Sequence, residues 1–250
     1  MRGNEGRVKT KERITPSTVN RELAFLKADF NFAIEADLVF KNPVSRVKFL
    51  AENNQQTRVL SHIEESEYFA TASPVLRDIA RLILDTGMRP EEVYTLRREN
   101  VDLRRGVLQV PQGKTAAARR LLKLTASAKE VLRRRMTGLE TPYLFPYESD
   151  PSRLIPKINH AHDRTVKVSK IASIRLYDFR HTWATRAAMS GIDLVTLAAM
   201  LGHSRIQMVL RYAHPAQKHQ AKAMEQLEQF SAAQQIEEFE AAKSHSAVTQ

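Results

Sequence analysis

The sequence predicts a mainly α protein that carries one small three-stranded antiparallel β-sheet. Three observations carry that expectation. Apolar residues recur at helical spacing over most of the 250 residues, the period shortens to a strand-like alternation between Val101 and Leu124, and glycine or proline stands where the pattern breaks. The length suits one large domain, or a main domain with a small one, around a core of substantial size.

Residues 1–14 are polar and basic (Arg2, Arg7, Lys9, Lys11, Arg13) and read as a flexible leader. Pro16 suits the first turn of a helix, and Val19, Leu23, Leu26, Phe30 and Ile34 follow at steps of three or four, giving one amphipathic helix to about Ala36. A single helix cannot bury its stripe alone, so this region is expected to pack on something else. Asn42-Pro43 interrupts helical order, and the polar run from Ala51 to Thr57 is a linker candidate. Ile79, Leu82 and Ile83 belong to a buried helix that ends at Gly87, and Pro90-Glu91-Glu92 opens the next, with carboxylates that suit the helix dipole. VDL, GVLQV and RLLKL are the three strands, separated by Arg104-Arg105-Gly106 and by Pro111-Gln112-Gly113-Lys114. Helices resume near Ser127, after which a proline-punctuated stretch runs from Pro142 to Pro156. Ile192 to Tyr212 reads as helix, turn, helix. Gly202 ends the first helix and Ser204 with Gln207 forms a capping box for the second, with Ile206, Val209 and Leu210 in the core. Residues 217–242, with Met224, Leu227, Phe230, Ile236 and Phe239, form a final amphipathic helix rich in Gln and Glu.

Composition narrows the chemistry. With no cysteine there is no disulfide, no thiolate metal site and no cysteine nucleophile. The N-terminus lacks the apolar stretch of a signal peptide, and the longest apolar run, Leu197 to Leu201, is far below the roughly 20 residues of a membrane span, so a soluble cytoplasmic protein without a membrane partner is expected. The 39 Lys+Arg against 28 Asp+Glu give a net charge of +11, which favours a polyanion, above all nucleic acid, as partner. Gly113-Lys114-Thr115 does not make a nucleotide-binding loop, because Gly106 stands seven positions before Gly113 rather than five and strands flank the segment. His160 and His162 lack an evident third ligand and read as ordinary surface histidines. No metal and no cofactor are expected.

A more specific constellation spans the second half. TGMRPEE sets Arg89 at a Gly-then-Pro corner between two helices, LYDFRHTWAT sets Tyr177, Arg180 and His181 near the start of a helix, LGHS sets His203 at a turn, and VLRYAHP sets Tyr212 beyond it. Arg180 follows Arg89 by 91 residues, His203 follows Arg180 by 23, and Tyr212 follows His203 by nine. In content and order these boxes resemble the catalytic domain of the tyrosine recombinases, the phage integrase family, over about residues 57–215.

The resemblance implies a tyrosine recombinase catalytic-domain fold and a site-specific recombinase that cuts and rejoins DNA without metal or ATP. Tyr212 is then the nucleophile that forms a 3′-phosphotyrosyl link, which keeps the energy of the broken phosphodiester. Arg89 and Arg180 offset charge on the phosphate oxygens, Lys114 on its hairpin turn protonates the leaving 5′-oxygen, and His203 donates to a non-bridging oxygen. Lys123 is a weaker alternative to Lys114. The family usually has His where this chain has Tyr177. A phenol with a reference pKa near 10 is a poor base at neutral pH, although it can hydrogen-bond the phosphate or the nucleophile. His181 matches a position read as structural. Lys114, Arg119, Arg120, Arg205 and Arg211 are the expected DNA contacts.

The resemblance further implies double-stranded DNA as partner and a homotetramer on DNA, from a chain that can be monomeric in free solution. It divides the chain into a partial helical core-binding region (1–48), a linker (49–57), a catalytic domain (58–215) and a C-terminal helix that contacts a neighbouring protomer or folds back on its own domain (216–250). The short N-terminal region is expected of a fragment, a truncated gene or a short member. Three alternatives stay open on the residues alone: a DNA-binding protein that has lost catalysis, a helix-turn-helix regulator with Arg205, Gln207 and Arg211 facing the groove, and relaxation of the type IB topoisomerase kind.

Overall fold

The computed structural model describes residues 14–52, 58–110, 119–138, 141–213, 221, 224–225 and 227–235. It divides into two compact units, Met1–Gln56 and Thr57–Gln250.

The first unit is built on α1 (Pro16–Glu35), with Thr15 as N-cap and Pro16 in the first turn. The chain after the helix is tied to it by polar groups. The Asn20 amide donates to the Leu50 carbonyl at 2.9 Å and accepts the Leu50 N–H at 2.8 Å, and Lys27 Nζ donates to the carbonyls of Ser45 and Val47 at 3.1 and 2.7 Å. This shifts the buried face away from the expected stripe. Leu23 and Phe30 are half-buried, whereas Val19, Leu26 and Ile34 are exposed, because the returning segment lies along the side that carries Asn20 and Lys27.

The second unit is mainly helical. A capping box at Ser61 and Glu64 starts α2 (His62–Thr71). Then follow α3 (Pro74–Thr86), α4 (Pro90–Tyr94), β1 (Val101–Asp102), β2 (Val107–Val110), β3 (Arg120–Lys123) and α5 (Ala126–Met136). The strands form the expected antiparallel sheet in the order β1-β2-β3, with Val101 opposite Leu108 and Leu108 opposite Leu122. The proline-punctuated stretch adds an element that the sequence reading lacks, a bulged hairpin of β4 (Pro146–Tyr147) and β5 (Asp150–Leu154). Helices α6 (Asn159–Ser169), α7 (Asp178–Met189) and α8 (Leu194–Leu201) complete the unit, followed by two single 3-10 turns, Ile206–Met208 and Leu210–Tyr212.

Helix α3 is the spine. Its Leu76, Ile79, Leu82 and Ile83 are buried, each stabilising the fold by roughly 2 kcal/mol through burial, and it packs on α4, α5 and α7. Phe179 of α7, Leu108 and Leu122 of the sheet and Leu132 of α5 join the same core. A second cluster joins Ala184, Ala187, Leu197, Leu201, Val209 and Tyr212. His162 belongs to the interior and is not a surface histidine: its Nε2 donates to the Ile174 carbonyl at 2.8 Å, which leaves Nδ1 to accept from the Tyr68 hydroxyl at 2.8 Å. Of the final helix expected over 217–242, the described residues are helical, and the remainder lie outside the described residues.

Candidate active site

The site starts at the corner between α3 and α4. Helix α3 ends at Gly87, whose φ of +66° lies in the left-handed region, and a Cβ there would run into the Trp183 ring, so only glycine fits. Arg89 precedes Pro90 and takes the extended conformation that such a residue favours (φ −71°, ψ 147°), which makes it the N-cap of α4. Its Nη1 donates to Glu92 Oε1 and its backbone N–H to Glu92 Oε2, both at 2.8 Å. The same carboxylate accepts Arg120 Nη1 and Nη2 at 3.0 and 2.8 Å, while Arg120 Nε donates to the Met200 carbonyl at 2.6 Å. One buried carboxylate thereby ties the α3–α4 corner to β3, and Arg120 carries the tie on to the end of α8. Burial alone would raise the Glu92 pKa, but the hydrogen bonds and charge of Arg120, together with those of Arg89, hold the carboxyl below its usual range.

Arg180 lies in the first turn of α7, which opens at Asp178, whose carboxylate accepts from the Arg175 backbone and guanidinium. The Arg180 side chain is 1% exposed. Nη1 donates to the Gly87 carbonyl at 2.7 Å, and Nη2 donates to the Leu201 carbonyl at 2.7 Å and to His203 Nε2 at 3.0 Å. Burial, with the nearby cations Arg89 and Arg120, lowers its pKa to about 10 against the opposing pull of Tyr177 and Glu92, so it stays charged at neutral pH. Among the described residues, the guanidiniums of Arg89, Arg120 and Arg180 gather around the carboxylate of Glu92. A cluster of that sign favours an anion.

His203 follows Gly202, the left-handed residue that ends α8, and its N–H closes the helix on the Ala198 carbonyl at 2.9 Å. Burial, then the charges of Arg180, Arg89, Arg120 and Arg211, lower its pKa to about 4, so the ring is neutral at physiological pH. Arg180 can only donate, so His203 Nε2 accepts and the ring proton sits on Nδ1. That buried Nδ1 has no partner among the described residues. It is an oriented donor awaiting an acceptor.

Tyr212 ends the second 3-10 turn and is 2% exposed, with its hydroxyl 2.5 Å from His181 Nδ1. Burial pushes its pKa up to about 12 against the opposing charge of Arg180. Tyr177, the N-cap of α7, is half-buried with its ring edge-on to His181, centroids 5.2 Å apart.

The fold therefore brings Arg89, Arg180 and His203 to one place, with Tyr177 and Tyr212 nearby, each against the His181 ring. Lys114 lies outside the described residues. Arg119, Arg205 and Arg211 are exposed, as a DNA contact must be. Arg120, expected at the DNA, is instead turned inward: its side chain is 6% exposed because Glu92 takes its guanidinium from beneath. The second helix expected after Gly202 does not form, and no side-chain cap is made at Arg205. The chain makes two separate 3-10 turns there, with Val209 between them; Val209 and Tyr212 enter the second core cluster, while Ile206 and Leu210 are exposed. A helix-turn-helix reader loses its recognition helix by this geometry. Two site residues were missed by sequence reasoning. Glu92 was read only as a dipole carboxylate, and its place three residues after Arg89 was the available signal. His181 was read as structural despite adjoining Arg180.

Comparison with known proteins bears on this geometry. The model of the phage integrase family matches residues 49–219. The shufflon-specific DNA recombinase of Escherichia coli is 30% identical over 211 residues, covering 82% of this chain and 53% of that protein. The integrase of Escherichia phage P2 is 28% identical over 207 residues, covering 82% of this chain and 58% of that protein. The chain thus spans little more than half the length of these relatives. Among solved structures, the Tn1549 transposon integrase in complex with circular intermediate DNA shares the fold with a TM-score of 0.72 at 21% identity, over 86% of this chain and 81% of that one. A lambda integrase tetramer bound to a Holliday junction gives a TM-score of 0.66 at 19% identity, over 80% of this chain and 60% of that one.

Proposed function

Because the chain belongs to the phage integrase family, we propose that it is a site-specific DNA recombinase, cutting and rejoining strands of double-stranded DNA through a phosphotyrosyl link. The observation that carries this reading is the meeting of Arg180 with His203 near Tyr212: a buried guanidinium and an imidazole N–H that has no partner among the described residues, with the charges of Arg89, Arg120 and Arg211 nearby.

In this reading the scissile phosphate enters beside Arg89 and Arg180, whose guanidiniums offset the charge that builds on its oxygens in the transition state. His203 donates its Nδ1 proton to a non-bridging oxygen. Tyr177 contributes a hydroxyl to the same phosphate. The Tyr212 oxygen attacks phosphorus, the bond to the 5′-oxygen breaks, and Lys114 gives that oxygen its proton, leaving a 3′-phosphotyrosyl chain and a free 5′-hydroxyl. Rejoining runs the same step backwards with a 5′-hydroxyl from another strand. Neither metal nor ATP has a part in these steps. Arg119, Arg205 and Arg211 hold the flanking backbone, and Arg120 acts from beneath by fixing Glu92.

The domain assignment belongs to the same proposal: residues 1–48 are part of a helical core-binding region, 49–57 a linker, 58–215 the catalytic domain and 216–250 a protomer contact. The active assembly is a homotetramer on DNA. No helix among the described residues is long and apolar enough to cross a membrane, and the cytoplasm is the proposed location.

The test is covalent trapping on nicked duplexes taken from DNA flanking the gene, resolved by denaturing electrophoresis. A protein–DNA adduct that forms without added metal or ATP and vanishes in Tyr212→Phe is the expected result. Salt-sensitive binding shared by both proteins with no adduct from either would overturn the reading in favour of a DNA-binding protein without catalysis.

A further inference from the structure

Resting on the recombinase reading, the geometry points to His181 as the group that takes the proton from Tyr212 during attack, in place of Tyr177.

Among the described residues, the tyrosine hydroxyl meets one group able to accept its proton. His181 Nδ1 lies 2.5 Å from the Tyr212 oxygen, on a ring that is itself 7% exposed and fixed on the first turns of α7. Tyr177 stands one helical turn earlier and meets His181 by its ring edge, and its hydroxyl has no hydrogen bond to a described residue. Chemistry separates the two as well. A phenol cannot draw a proton from another phenol at neutral pH, since both share a reference pKa near 10, whereas imidazole is matched to that task.

His181 is in the right state to accept. Burial lowers its pKa, Asp178 on the same helix pulls it back, and the charges of Arg211 beside Tyr212, Arg175 before the helix and Arg180 lower it further. The ring is therefore neutral in ordinary buffer. With its own proton on Nε2, it offers the Nδ1 lone pair to the Tyr212 O–H. In the attack the Tyr212 O–H bond breaks as the O–P bond forms, and the proton passes to Nδ1, giving an imidazolium. The P–O5′ bond breaks and the leaving oxygen is protonated elsewhere, by Lys114 in the proposal above. On rejoining, His181 returns the proton to the phenolate as it leaves phosphorus. Adjacent residues of one helix thus divide the work: Arg180 is turned to the phosphate side and His181 to the nucleophile.

Two measurements test this. The first is ¹⁵N NMR of the imidazole nitrogens in the intact DNA-free chain from about pH 5 to 8, the range in which histidines titrate. A neutral ring protonated at Nε2 is expected, and one protonated at Nδ1 would overturn the proposal, because it could only donate to Tyr212. The second is the rate of adduct formation on the nicked duplex. His181→Asn puts an amide oxygen near the place of Nδ1, so it can keep the hydrogen bond but cannot carry the proton. Its expected rate is about 10²- to 10⁴-fold below that of the unaltered chain, with DNA affinity retained and the acid limb of the pH–rate profile gone. Adducts that need Tyr212 yet form at an unchanged rate and with an unchanged acid limb in His181→Asn overturn this inference alone. Adducts that persist in Tyr212→Phe overturn the recombinase reading itself.

Discussion

Glu92 and Arg120 form a bidentate pair, carboxylate to guanidinium at 3.0 and 2.8 Å, beneath the Arg89 side chain that shares the same carboxylate. Both partners are nearly inaccessible to water, so the pair is not the weak surface kind. Removing one charge strands the other in the interior, which costs about 3 kcal/mol or more.

Glu92→Gln is therefore expected to lower the unfolding free energy by about 3 kcal/mol in a denaturant titration, and to slow DNA cleavage as Arg89 loses its anchor. The pH dependence has a definite sign. The folded carboxyl is held below its ordinary value near 4.5, so its stabilisation is fully present above that pH and is lost as acid carries the folded group through its own pKa. Glu92→Gln should flatten that acid limb. An unchanged stability curve would show that the three guanidiniums tolerate one another without a counter-charge.

Gly87 joins the fold to the site. Its left-handed conformation ends α3, its missing Cβ admits Trp183, and its carbonyl receives Arg180 Nη1. Gly87→Ala meets both the conformational penalty and the ring, for a loss of about 2 kcal/mol or more. A thermal melt measures the first effect, and the adduct assay shows whether Arg180 has been displaced.

Much of this was legible in the sequence because local rules act on it. Gly87 and Gly202 end helices by the left-handed turn that only glycine makes cheaply, and the three segments VDL, GVLQV and RLLKL supply the three strands of the sheet. The boxes around Arg89, Arg180, His203 and Tyr212 were legible for a different reason, since residue type and order are all that a motif needs. What was not legible depends on partners distant in the chain. Arg120 and Arg119 are neighbours of the same type, yet one is drawn inward by Glu92 and the other stays in water. His162 and His160 differ likewise through Tyr68 and Ile174. The capping box at Ser204 was a sound local signal that did not decide the outcome: the segment forms two short 3-10 turns, from which Val209 and Tyr212 pack into the second core cluster.

His203 supplies a stability prediction with the opposite acid origin to Glu92. Its folded pKa of about 4 lies below the ordinary 6.5, so between these values the unfolded chain binds a proton that the folded chain refuses. Stability must then rise with pH across that window, by up to about 1.4 kcal/mol per pH unit for one such group. His162 and His181 are depressed by burial in the same direction and add to the slope. His203→Gln cannot titrate, so urea midpoints measured across this pH range should show a shallower rise than in the unaltered chain. An equal slope would mean that His203 is protonated in the fold, and its unpartnered Nδ1 would lose its meaning as a neutral donor.

Arg180→Lys separates charge from geometry. The guanidinium spans the Gly87 and Leu201 carbonyls and His203 Nε2 with one rigid planar head, which an ammonium on a shorter stem cannot do. Lysine keeps the positive charge, so the salt dependence of DNA binding, set by the number of phosphates neutralised, should barely move. Transition-state stabilisation should fall, because the donors no longer stand where charge develops on the phosphate oxygens. The expected loss is about 10²- to 10³-fold in the rate of adduct formation. His203 also loses the donor that fixes its tautomer, so the proton can shift to Nε2 and point away from the phosphate. Single-turnover trapping on the nicked duplex, beside a salt titration of binding, reads the two effects separately. Cleavage at the unaltered rate in Arg180→Lys would show that a point charge suffices there and that the buried fork serves only to hold α7 and α8 together.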